Sequence, residues 1–165
     1  MFINNPPFSL LMWEEFVEKY NALRAKNKDL PSIEELDSDY ELKMYINEKK
    51  DPPSFIIRNV RRAMSSYICS WINICHGYII PNQGSGISIE EMKHFDVDEK
   101  REIALYIDKL MYISRSSSLM ELEQNDKKDA AWVIEIHKLW QGIKSELIKK
   151  ISKNVMKWKF NFEKK

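Results

Sequence analysis

The stretch IIRNVRRAMSSYICSWINICHGYIIP, Ile56 to Pro81, decides the fold. Its apolar residues Ile57, Val60, Met64, Tyr67, Trp71, Cys75 and Tyr78 share one face at about 100° per residue. The other face carries Arg58, Arg62, Ser65, Ser66, Cys69, Asn73 and His76, with Arg61 at the boundary. This is the pattern of one long amphipathic helix that Pro81 ends. Its first turns hold three arginines. A helix N-terminus carries partial positive charge and disfavours cations. Something negative must therefore compensate Arg58, Arg61 and Arg62.

Working outward, the same period recurs along the chain. Leu10, Trp13, Phe16, Val17, Tyr20 and Leu23 predict a first helix to Lys26, with Ser9 as its cap. Ser32 with Glu35 forms a capping-box pattern opening a second helical region to Lys50, which ELDSDYEL can break in two. Asp51 is read as the cap of the long third helix, with Pro52 and Pro53 in its first turn. Pro81–Gly86 reads as a surface turn, followed by a short helix capped by Ser88 with Glu91. Asp96 with Glu99 starts a fourth main helix to Glu123, and Asn125 or Asp126 a fifth to Trp158. Residues 158–165 are expected to fray, or to dock as an extended basic and aromatic tail.

The 165 residues suit a single helical domain, able to bury about two-thirds of its unfolded surface. Hydrophobic residues make up 44 %, a globular rather than disordered proportion. Four glycines are too few for a sandwich, a barrel or a Rossmann-type loop. The expected fold is all-α: an elongated antiparallel helical bundle of four to five main helices.

Net charge is +1, but it is unevenly spread. Glu14 to Asp51 has 11 acids against 7 bases, whereas Lys138 to Lys165 has 9 bases against 2 acids. That asymmetry predicts a bipolar surface or internal pairing. Cys69 and Cys75 stand six residues apart on one helix and face different ways, which fits a reducing compartment. The N-terminus lacks a signal peptide's basic start, and no apolar run approaches a membrane span. An intracellular protein, cytoplasmic or nuclear, is the expectation.

Two basic surfaces are candidate sites. Arg58, Arg61 and Arg62 would suit a phosphate or a carboxylate, because guanidinium donates bidentately. The alternative is neutralisation by the chain's own acids, Asp51 or the acidic second helix. At the C-terminus, Lys149, Lys150, Lys153, Lys157 and Lys159 interleave with Trp158, Phe160 and Phe162. Such a stretch stabilises a helix end, stacks on bases or sits at a membrane interface. SRSSS, Ser114 to Ser118, predicts a kink or a tight crossing.

Catalytic signatures are absent from the sequence. There is no Cys-x-x-Cys, His-x-x-x-His, Gly-x-Ser-x-Gly or Walker loop. No metal or other cofactor is expected. An enzyme would have to assemble its site from residues scattered over different helices. RNVRRAMSSYICSWI (58–72), GISIEEMKHF (86–95) and YIDKL (106–110) together look a little like the helical domain of the GINS replication subunits. There an arginine-bearing helix precedes an acidic, aromatic-bearing one. That family usually adds a small β-rich domain, of which this chain gives no sign.

The leading functional expectation is a non-enzymatic, all-helical binding or scaffold subunit of a larger assembly. A protein partner or a second copy is implied, with the arginines touching an anionic partner. The rival expectation is a nucleic-acid-binding protein using the arginines and the basic C-terminus.

Overall fold

In a computed structural model, residues 8–49, 55–80 and 85–164 are described. All regular structure among them is α-helical: α1 (Phe8–Lys26), α2 (Ile33–Tyr40), α3 (Leu42–Lys49), α4 (Ile56–Ile79), α5 (Gly86–Met92), α6 (Val97–Glu123) and α7 (Asp126–Glu163). The protein is an all-α helical bundle. Asp51, Pro52 and Pro53, and the turn at 81–84, lie outside the described residues.

Local sequence explains most of the helix ends. Ser32 accepts from the Glu35 N–H, and Glu35 reaches back to the Ser32 N–H at 2.7 Å, closing the expected capping box. Asp96 and Glu99 make the same reciprocal pair at the head of α6. Asn125 rather than Asp126 caps α7, accepting from the N–H groups of Lys127 and Lys128.

Other ends depart from expectation. Ser9 lies within α1, not ahead of it. The second helical region does break, at Glu41, which is left-handed with φ 54°. The cap of α5 is Ser85, three residues before the expected Ser88. Ser88 instead donates its hydroxyl to the Gly77 carbonyl of α4. The SRSSS run does not interrupt α6, which is continuous to Glu123. The residues after Trp158 are helical to Glu163, not extended.

The chain divides into two compact units. One comprises residues up to Tyr67 together with Ser116–His137. Its core draws on Phe16 and Tyr20 of α1, Leu36 and Tyr40 of α2, Leu42 and Ile46 of α3, and Val133 and Ile136 of α7. Helix α1 packs on α2 and α3. The Tyr20 hydroxyl donates to the Pro31 carbonyl at 2.8 Å, which fixes the α1–α2 turn. The Tyr40 hydroxyl meets His137 Nδ1 at 3.0 Å. Burial pushes both phenols up, well beyond the tyrosine range.

The other unit comprises Ile68–Arg115 and Lys138–Lys165. Ile68, Cys75 and Tyr78 of α4, Ile103, Leu110 and Ile113 of α6, and Trp140, Ile143 and Leu147 of α7 form its core. Tyr78 packs on Phe95 with ring centroids 4.9 Å apart.

Candidate functional site

Helix α4 brings its three arginines to the end of α6 and the start of α7, within the first unit. Arg61, expected at the boundary of the polar face, lies in the core. Its side chain is 1 % exposed, as deep as the core residues Leu36 and Leu42. On the helical wheel it lies about 20° from Ile68, so it belongs to the buried arc. Its Nε donates to Asp129 Oδ1 at 2.7 Å, and Nη1 to the Ser117 hydroxyl and carbonyl at 2.7 and 2.9 Å. Its Nη2 donates to Glu121 Oε2.

The two neighbours complete the cluster. Arg58 is buried, with Nε 3.6 Å from Asp129 Oδ2 and Nη2 3.6 Å from Asp126. These separations are ion pairs but not hydrogen bonds. Arg62 is partly exposed and binds Glu121 through Nε and Nη2. Three guanidinium groups thus meet three carboxylates, and the cluster is neutral.

This geometry answers why the arginines stand at a helix N-terminus. Asp126 and Asp129 lie in the first turn of α7, which favours acids, and Glu121 lies in the last turn of α6, which disfavours them. The misplaced bases of α4 and the misplaced acid of α6 compensate each other. Arg62, then Arg61, hold the Glu121 carboxyl down at about 2. The neutralisation considered in the sequence is therefore found, among the described residues, with Glu121, Asp126 and Asp129, while Asp51 lies outside them. Arg58 and Arg61 face inward, although Arg58 stands on the polar face of the wheel, and Arg62 alone keeps part of its surface in water. Nothing in a single-helix wheel reveals that Glu121 and Asp129 converge on them.

The serines of SRSSS also find their role in this unit. Ser117 is buried beneath Arg61, and the Ser116 hydroxyl accepts from Trp132 Nε1 at 2.7 Å. From α6 the two serines thus supply acceptors to α4 and to α7.

The basic C-terminal stretch is paired over its first half. Lys150 binds Glu102 at 2.6 Å, and Lys153 binds Glu99 at 2.5 Å. Lys149 pairs with Glu146 one turn earlier. Lys153, foremost, draws the Glu99 carboxyl below its ordinary range. Buried Asn154 donates to Glu91 Oε1 at 2.8 Å and meets the His94 ring, and Trp158 Nε1 donates to the same Glu91 oxygen at 3.2 Å.

The second half differs. From Val155 to Lys164 every residue is exposed, including Lys157, Lys159, Met156, Phe160 and Phe162. The Lys159 ammonium is 3.8 Å from Glu163, with both groups in water. Lys164 lies over the Phe160 ring at 4.0 Å. The structure thus splits the candidate lysines into an engaged set and a solvent-facing set, a division sequence reading missed. The signal was the run of acids at Glu91, Glu99 and Glu102, spaced to meet α7.

Other chemistry-bearing groups are dispersed. Neither cysteine forms a disulfide, and burial pushes Cys75 up to about 11, which keeps it protonated and inert. Among the described residues no group of three or more His, Cys, Asp or Glu is placed to hold a metal. A depression of about 770 Å³ on α2–α3 is lined by Asp37, Glu41, Lys43, Met44, Asn47 and Glu48 and opens to solvent. No described helix is long and apolar enough to cross a membrane. No family model, curated protein or solved structure matches the chain, and the GINS resemblance has no counterpart among them.

Proposed function

We propose that the protein is a non-enzymatic helical binding subunit that engages an anionic partner through the end of α7, not through its arginines. One observation carries this reading. Beyond Asn154, α7 continues for nine residues classed as exposed, among them Val155, Met156, Phe160 and Phe162, while Trp158, 37 % exposed, docks on Glu91 and His94. Exposed aromatics concentrated on one helical segment mark an interaction surface. The interleaved lysines select a negative partner.

The arginine cluster serves the bundle itself. Its carboxylates already hydrogen-bond Arg61 and Arg62 and neutralise buried Arg58. The rival reading, nucleic-acid binding, now rests on the same α7 segment, where Lys157, Trp158 and Lys159 combine phosphate-binding and stacking groups.

Fractionation of an extract from cells making the tagged chain tests the proposal. The full chain should travel with a larger soluble species or a pelleted fraction. A Phe162→Asp variant with an unchanged melting curve should run at the mass of the free chain. Full-length protein that always runs alone overturns the reading. A mobility shift on single-stranded RNA that Lys157→Glu with Lys159→Glu abolishes favours the nucleic-acid alternative.

A further inference from the structure

We infer that the end of α7 docks on an anionic lipid surface, lying in the interface rather than crossing it; this rests on the binding-subunit reading above. The segment has an apolar flank. Ile148, Val155 and Phe162 recur every seven residues and fall within an arc of about 40°. All three are exposed, Phe162 at 82 %. Lys157 and Lys164 stand on the opposite side, about 160–180° from Val155, while Lys159 lies about 40° from Val155 at the edge of the apolar flank. An exposed apolar flank with lysines behind it and at its edge, their long stems able to snorkel, suits a helix lying at a bilayer surface.

Three physical points favour lipid over other occupants. Met156 and Phe160 stand about 100–140° from Val155 on the other side from Trp158. A partner helix covers one stripe and leaves those groups in water. A lipid interface is deformable, accepts apolar groups over a wide arc, and lets lysine stems snorkel to headgroups. Charge is the second point. Val155 to Lys165 carries four lysines against one glutamate, net +3. Glu99 and Glu102 engage Lys150 and Lys153, upstream of this segment, so they do not cancel its charge. A second copy would bring the same excess and be repelled. Third, Ile148, Val155 and Met156 have no use in base stacking but contribute to bilayer partitioning. Trp158, 37 % exposed and held by Glu91, has the amphipathic ring suited to headgroup level.

The test is sedimentation of the full chain with vesicles of phosphatidylcholine alone, and of phosphatidylcholine with phosphatidylserine, at low and high salt. The protein should pellet with the anionic vesicles, less so as salt rises. Lys157→Gln and Lys159→Gln should each weaken that binding about fivefold. Val155→Asp with Phe162→Asp should abolish it while the melting curve holds, because both side chains are exposed. Absence of pelleting with phosphatidylserine vesicles overturns the inference. So does pelleting that the Asp double variant leaves intact, since lysines elsewhere would then be responsible. If vesicles fail but Phe162-dependent co-fractionation persists, the lipid assignment falls and the binding-subunit reading stands. If both fail, both fall.

Discussion

Arg61 Nε donates to Asp129 Oδ1 at 2.7 Å across 68 residues of chain, with the carboxylate at 0 % exposure and the guanidinium at 1 %. A buried pair of this kind need not add net stability over apolar packing, but it cannot lose one member cheaply. Removing the acid leaves a guanidinium in the core with only Glu121 and Ser117 to satisfy it.

Asp129→Ala should therefore lower unfolding free energy by about 3–5 kcal/mol. Arg61→Met with Asp129→Leu should recover part of that loss, because Arg61 is then no longer stranded, while buried Arg58 keeps only the exposed Asp126. Urea denaturation midpoints measure both. A single Asp129→Ala variant as stable as the parent would show that the cluster does not couple the helices.

Glu121 links the cluster to pH. Its carboxyl is held down at about 2 in the folded chain, below the ordinary glutamate value of 4.5. The unfolded state then binds the proton first as pH falls. The stabilising contribution is complete above the unfolded value and is lost between about pH 5 and pH 2. Glu121 is 40 % exposed, so water screens the effect and its size is modest. Melting temperature should fall across that window, and more shallowly in Glu121→Gln. Parallel curves for the two proteins would remove Glu121 from the acid response.

Glu41 separates α2 from α3 in a left-handed conformation, with φ 54°. A side chain there crowds the backbone, whereas glycine has no Cβ to clash. Glu41→Gly should raise stability by about 0.5–1 kcal/mol, after the entropy that glycine returns to the unfolded chain. Thermal melts would detect it; a loss of stability would mean the conformation is not held there.

Asp96 and Glu99 cap α6 reciprocally, and Glu99 also binds Lys153 of α7. Asp96→Ala should cost about 1 kcal/mol as a lost cap. Glu99→Gln should cost more than a half-cap, because it weakens the Lys153 contact as well. Comparing Glu99→Gln in the parent and in Lys153→Met isolates the second contribution. Additive losses would mean that Glu99 acts only as a cap.

The sequence by itself determined the all-α class and most of the helix ends. Helical period, the Ser32–Glu35 and Asp96–Glu99 boxes and the Asn125 cap involve residues within one or two turns, so local backbone geometry settles them. The same locality placed Arg61 on a boundary and left its direction open. Only the tertiary structure decided that Glu121 of α6 and Asp129 of α7 reach it, because which helix ends meet depends on packing across some 60 residues of chain. That choice turned Arg58 and Arg61 inward. It also divided the C-terminal lysines: acids of α5 and α6 lie alongside α7 only as far as Trp158, and past that point its bases and aromatics face solvent.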